Sequence, residues 1–166
     1  MSNFDKAFEV VIGNEKGYVW DKNDRGGETK YGISKRSYPN LDIKNLTLNE
    51  ARNIYYKDFW KTPHMNLDKF PYDIALELFD TGVNLGMPTA RKILQQALNV
   101  LNRNGRLFKD LRIDGWIGKK TLKAVSKVKT KELLKTLNGL QFMHYYQITE
   151  YDKIQEKFFG GWVMRT

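Results

Sequence analysis

Glu15, Asp24 and Thr29 are the residues of this chain whose types and spacing could do chemistry. Phe4, Ala7, Phe8, Val11 and Ile12 recur at helical spacing, and Glu15 falls three residues after Ile12 and four after Val11. It therefore continues an apolar stripe at the carboxyl end of a helix. A carboxyl group against apolar surface, near the negative end of a helix dipole, has its charged form disfavoured and its pKa raised. A general acid needs this near neutral pH, because it must still hold a proton to give to a leaving oxygen. Asp24 and Thr29 complete the pattern Glu, eight residues, Asp, four residues, Thr in a glycine-bearing segment that a hairpin could fold back toward Glu15. A carboxylate and a hydroxyl facing the acid could position a water across a sugar ring from it. The plainer alternative is a helix-terminal glutamate paired with Lys16 or Lys30.

The elements that must position these groups can be read from caps and periodicity. Ser2 followed by Asp5 resembles a capping box at the start of the first helix, with Gly17 at its end. Tyr18-Val19-Trp20 and Thr29-Lys30-Tyr31-Gly32-Ile33 then pair as a small hairpin. Thr47 and Glu50 make a second capping box before a helix that ends near Trp60 and Pro63. Pro71 opens a helix with the stripe Ile74, Ala75, Leu78, Phe79, Gly82 and Val83. Gly86 and Pro88 precede the cleanest period of the chain, Ala90, Ile93, Leu94, Ala97, Leu98 and Leu101. A basic connection over 102–114 leads to helices over 118–128 and about 131–150, and the aromatic terminus around Trp162 and Arg165 packs back on the body. The expected fold class is mainly α, a single helical domain with at most a small β-hairpin after the first helix.

A chain of 166 residues with 41% hydrophobic content can bury one sizeable core. Its 28 Lys+Arg against 19 Asp+Glu, a formal charge of +9, favours a polyanionic partner: nucleic acid, an anionic membrane surface or anionic cell wall. There is no cysteine, which excludes disulfides and thiol nucleophiles. The amino terminus carries no secretory-signal pattern, and no stretch approaches the roughly 18 apolar residues of a membrane span.

The run from Glu15 to Ile33, with Asp24, Gly26, Gly27, Thr29 and Tyr31 inside it, resembles the signature of glycoside hydrolase family 108. The resemblance extends to Phe79-Asp80-Thr81-Gly82-Val83-Asn84-Leu85-Gly86, with Ala90, Leu94 and Gln95. It continues to Asp114-Gly115-Trp116-Ile117-Gly118-Lys119-Lys120-Thr121, which is similar to that family's predicted peptidoglycan-binding half. It implies a lysozyme-like N-acetylmuramidase of phage, prophage or secretion-activator type, with residues 1–86 as the catalytic part and 87–166 as the peptidoglycan-binding part, packed as one globular unit. It also implies Glu15 as catalytic acid, with Asp24 and Thr29 at the family's other two positions. Lys16 replaces the glycine common after the glutamate, and Lys22 stands where proline is common.

The expected bond cleaved is the β-1,4 link from N-acetylmuramic acid to N-acetylglucosamine, with a lytic transglycosylase or a non-catalytic wall-binding module as rivals. A nucleic-acid binder ranks last because it leaves the Glu, Asp, Thr arrangement unexplained. Gly26, Gly27, Tyr31, Asp80 and Asn84 are the candidate substrate-binding residues, each set against a turn or packing role. Trp20, Tyr31 and Trp116 are read first as core aromatics and second as sugar-stacking groups. His64 and His144 have no second histidine or cysteine at ligand spacing, so neither a metal nor a cofactor is expected. The expected partner is peptidoglycan, not nucleic acid, and a monomer is expected. The reading places synthesis in the cytoplasm without a signal peptide and action at the periplasmic wall, after release through a holin-like pore or another export helper.

Overall fold

The structure, a computed structural model, describes residues 1–13, 17–20, 27–164 and 166. Two compact units divide it, Met1–Lys61 and Thr62–Thr166.

In the first unit, helix α1 (Asn3–Ile12) begins on the expected capping box. Ser2 Oγ accepts from the Asp5 amide at 3.1 Å, and the Asp5 carboxylate accepts from the Ser2 amide at 3.0 Å. The same carboxylate pairs with Arg52, and these bonds from Ser2 and Arg52 hold its pKa well below the usual range. Phe4, Ala7, Phe8 and Ile12 are buried. The described helix stops at Ile12, because Gly13 takes φ +52°.

Strands β1 (Tyr18–Trp20), β2 (Glu28–Lys30) and β3 (Ile33–Ser34) form an antiparallel sheet, with Val19 opposite Thr29 and Lys30 opposite Ile33. The expected second strand, 29–33, is broken by a two-residue turn in which Tyr31 and Gly32 take φ +52° and +73°. Positive φ at both central residues suits the twist of a tight hairpin, so Ile33 and Ser34 fold back as a third strand. Helix α2 (Leu48–Tyr55), capped by Thr47 and Glu50, continues through one π-helical turn at Tyr56–Trp60. Ring centroids of Phe4 and Tyr56 lie 5.0 Å apart, those of Phe4 and Trp60 5.5 Å, and those of Phe8 and Tyr55 5.6 Å, which locks α1 on α2.

The second unit holds α3 (Tyr72–Leu85), α4 (Met87–Leu101), α5 (Lys119–Val125), α6 (Thr130–Tyr151) and α7 (Glu156–Val163). Helices α3, α4 and α6 pack on one another around Ile74, Leu78, Phe79, Leu94, Leu98, Leu133 and Leu137, all buried. Gly86, at φ +86°, lets α3 turn directly into α4. A Cβ on Gly82 would stand 2.2 Å from Met87 Sδ, so a larger residue there would require the methionine side chain to move. The aromatic terminus docks as expected through Trp162, stacked on Tyr145 at 5.1 Å, while Arg165 lies outside the described residues. Among the described residues no helix is long and apolar enough to cross a membrane.

Gly32 is constrained twice, by its positive φ and by the Tyr55 hydroxyl, which would lie 2.6 Å from an added Cβ. That hydroxyl donates to the Tyr31 carbonyl at 3.1 Å. Gly32→Ala is expected to cost roughly 1–3 kcal/mol in thermal unfolding. Adding Tyr55→Phe should recover the part due to the steric clash and leave the part due to backbone strain.

Candidate functional site

Of the expected catalytic residues, Glu15 and Asp24 lie outside the described residues, as does Gly26. Thr29 is described: it sits in the central strand β2, half-buried, across from Val19. Gly27 takes φ +67°, a backbone conformation that favours glycine, and among the described residues only the Lys35 Cβ lies within 4 Å of an added methyl. Tyr31, half-buried, carries the turn and lies 5.5 Å from the Lys30 ammonium.

The aromatics read first as core are not core. Trp20 and Trp116 are each 60% exposed, and all three residues of β1 face solvent. Alternation in a short strand can bury at most one face, and here no residue of Tyr18–Trp20 is buried. His64 packs edge-on against Trp116, with centroids 5.1 Å apart.

Asp80 and Asn84 fall one turn apart on α3, as the spacing requires. Asn84 is exposed, and its amide donates to the Asp80 main-chain carbonyl at 2.8 Å rather than to the carboxylate. A group that sequence reasoning missed stands beside them. Glu77 is buried on the same helix, its carboxylate accepting from the Thr81 hydroxyl at 3.2 Å. Asn138, with its amide turned to donate, reaches the other carboxylate oxygen at 3.1 Å. Burial, and then the neighbouring charge of Asp80, push the Glu77 pKa up to about 7. Its signal in the sequence was its place three residues after Ile74 and four before Thr81, inside the buried stripe.

The second missed feature is a row of amides on α4. Gln95, Asn99 and Asn102 recur at four and three residues along one face, and each clamps the connection that follows the helix. Gln95, 1% exposed, donates to Asp114 Oδ1 at 2.9 Å and to the Trp116 carbonyl at 3.1 Å, and accepts from the Gly115 amide at 2.7 Å. Asn99 exchanges two bonds of 2.8 Å with the Leu111 backbone. Asn102 donates to Asp110 and accepts from the Gly105 amide at 3.0 Å. The expected turn at Asp114 is thus a held loop: Gly115 takes φ +75°, and Asp114 Oδ1 also accepts from the Trp116 amide at 2.8 Å. Between this loop and α5 opens a groove of about 720 Å³. Its size is that of a small-ligand site.

The chain matches the Glycosyl hydrolase 108 family over residues 8–86 and the Predicted Peptidoglycan domain over residues 89–166. Together these two matches support a peptidoglycan hydrolase role of the glycoside hydrolase class. The chain is similar to a solved structure titled "Structure of Brucella abortus SagA", at 26% identity and a TM-score of 0.75, over 98% of this chain and 88% of that one. No match is found among curated proteins.

Glu77 supplies a pH dependence of stability. Its folded pKa, about 7, lies above the ordinary 4.5, so the fold favours the protonated form. Stability from this group is fully present below about pH 4.5 and is lost as pH rises through about 7, by on the order of 3 kcal/mol. Glu77→Gln should remove that slope: melting temperatures of wild type and variant, close at pH 5, should separate by pH 8 with the variant higher. Parallel melting curves across that range would show that the carboxyl does not titrate there. Gln95→Leu keeps the volume but strands the Gly115 amide, and is expected to cost roughly 3 kcal/mol in denaturant unfolding.

Proposed function

We propose that the protein is an N-acetylmuramidase that hydrolyses the β-1,4 bond between N-acetylmuramic acid and N-acetylglucosamine. Glu15 protonates the glycosidic oxygen, the sugar passes through an oxocarbenium-like state, and water completes the reaction. Asp24 and Thr29 steer that water or stabilise the developing positive charge. The observation that carries this reading is the family match over residues 8–86, which takes in Glu15, Asp24 and Thr29 together. The sheet is consistent with it, since Thr29, five residues after Asp24 in sequence, occupies the central strand. Gly26, Gly27, Tyr31, Asp80 and Asn84 are assigned to substrate contact, and residues 87–166 to holding the wall.

Mass spectrometry of fragments released from purified peptidoglycan tests the proposal. Wild type should yield fragments with reducing-end muramic acid, Glu15→Gln should slow release about 10²–10⁴-fold, and Thr29→Ala should slow it less. Anhydro-muramic ends would reassign the enzyme to the lytic transglycosylases. Absence of fragments from every wall type would leave only a binding module.

A further inference from the structure

The groove beside the amide row has a composition that the hydrolytic site does not account for. Lys109 and Arg112 stand on its loop side, and Lys119, Lys120, Lys123 and Lys127 on its helix side. All six are exposed, and among the described residues none of them forms an ion pair. Lys127 alone is tied to backbone, donating to the Leu107 carbonyl at 2.7 Å.

Two carboxylates line the same groove, Asp110 and Asp114, yet both are already engaged by amides. Asp110 accepts from Asn102, and Asp114 accepts from Gln95 and from the Trp116 backbone. These bonds hold the Asp114 pKa below the ordinary carboxylate range. The acids therefore shape the loop, with Arg112 acting on the Asp114 charge, while Lys109, Lys119, Lys120, Lys123 and Lys127 face solvent without an ion pair among the described residues. The floor between them is apolar, formed by Phe108, Leu111 and Ala124. Trp116 stands at the rim with its ring 60% exposed.

We propose that this groove binds the acidic stem peptide of peptidoglycan through its free carboxylates. The inference rests on the reading of the chain as a peptidoglycan hydrolase and names what its second unit recognises. Cations flanking an apolar floor match a short peptide that carries carboxylates beside alanine methyl groups. A phosphodiester polymer would use the cations and leave the floor unfilled, and an uncharged glycan would use neither. The groove is pre-formed because Gln95 and Asn99 fix its loop backbone, so binding orders little that is not already ordered. The attraction is electrostatic at a solvent-exposed site, so it weakens with salt.

The test is calorimetric titration of the full chain with a synthetic stem tetrapeptide bearing free carboxylates, and with the same peptide amidated. The free acid should bind, amidation should weaken binding at least 10-fold, and Lys120→Gln with Lys123→Gln should do the same while leaving the melting temperature unchanged. Trp116 fluorescence should change on titration with the acid and not with the amide. Equal binding of acid and amide, binding unaffected by the lysine changes, or binding of a phosphodiester wall polymer in the absence of tetrapeptide binding would each overturn the proposal. Peptide binding without any glycan cleavage would uphold the groove assignment and refute the muramidase reading instead.

Discussion

The second unit depends on one buried amide. Gln95 sits inside an otherwise apolar helix face, between Leu94 and Leu98, and its carboxamide is fully satisfied by the Gly115 amide, the Trp116 carbonyl and Asp114. A buried amide without partners would cost several kcal/mol, so the loop must return to this point for the helix bundle to form at all. Once Gln95 fixes residues 114–116, Asn99 and Asn102 bind the preceding stretch, and α5 leaves from a determined place. The loop wall of the groove follows from that constraint rather than from a regular element, since the stretch between α4 and α5 contains neither helix nor strand.

The first unit is held differently. Its organising contacts are rings: Phe4 and Phe8 on α1 against Tyr55, Tyr56 and Trp60 at the end of α2. The π turn at Tyr56–Trp60 is a local departure that keeps Tyr56 and Trp60 both on the side of Phe4. Tyr55 connects this cluster to the sheet by its bond to the Tyr31 carbonyl, so the turn between β2 and β3 is set by a side chain 24 residues away in sequence. Aromatic packing thus positions the strand that bears Thr29.

Most of the helices were legible before any coordinates. The capping boxes at Ser2 and Thr47 appear with both reciprocal bonds, because the two side chains and the backbone they satisfy lie within one turn. The apolar periods of α3 and α4 read correctly for the same local reason. Glu77 was legible only as a position beside the apolar stripe: its burial depends on the helix that covers it, here α6 with Asn138. Trp20 and Trp116 misled in the opposite direction, since the hydrophobicity of an indole predicts burial and only the surrounding chain decides whether anything covers it.

By itself, then, the sequence determined the order of the helices up to α6, the two capping boxes, the hairpin after the first helix, and the Glu, Asp, Thr spacing within the part that matches a hydrolase family, because all of these are set by residues close together along the chain. Only the tertiary structure decided the third strand, the burial of Glu77, the meeting of Gln95 with Gly115 twenty residues on, and the groove where six cations gather around an apolar floor. Those features depend on which distant groups exclude water from one another, and no local pattern of residue types encodes that.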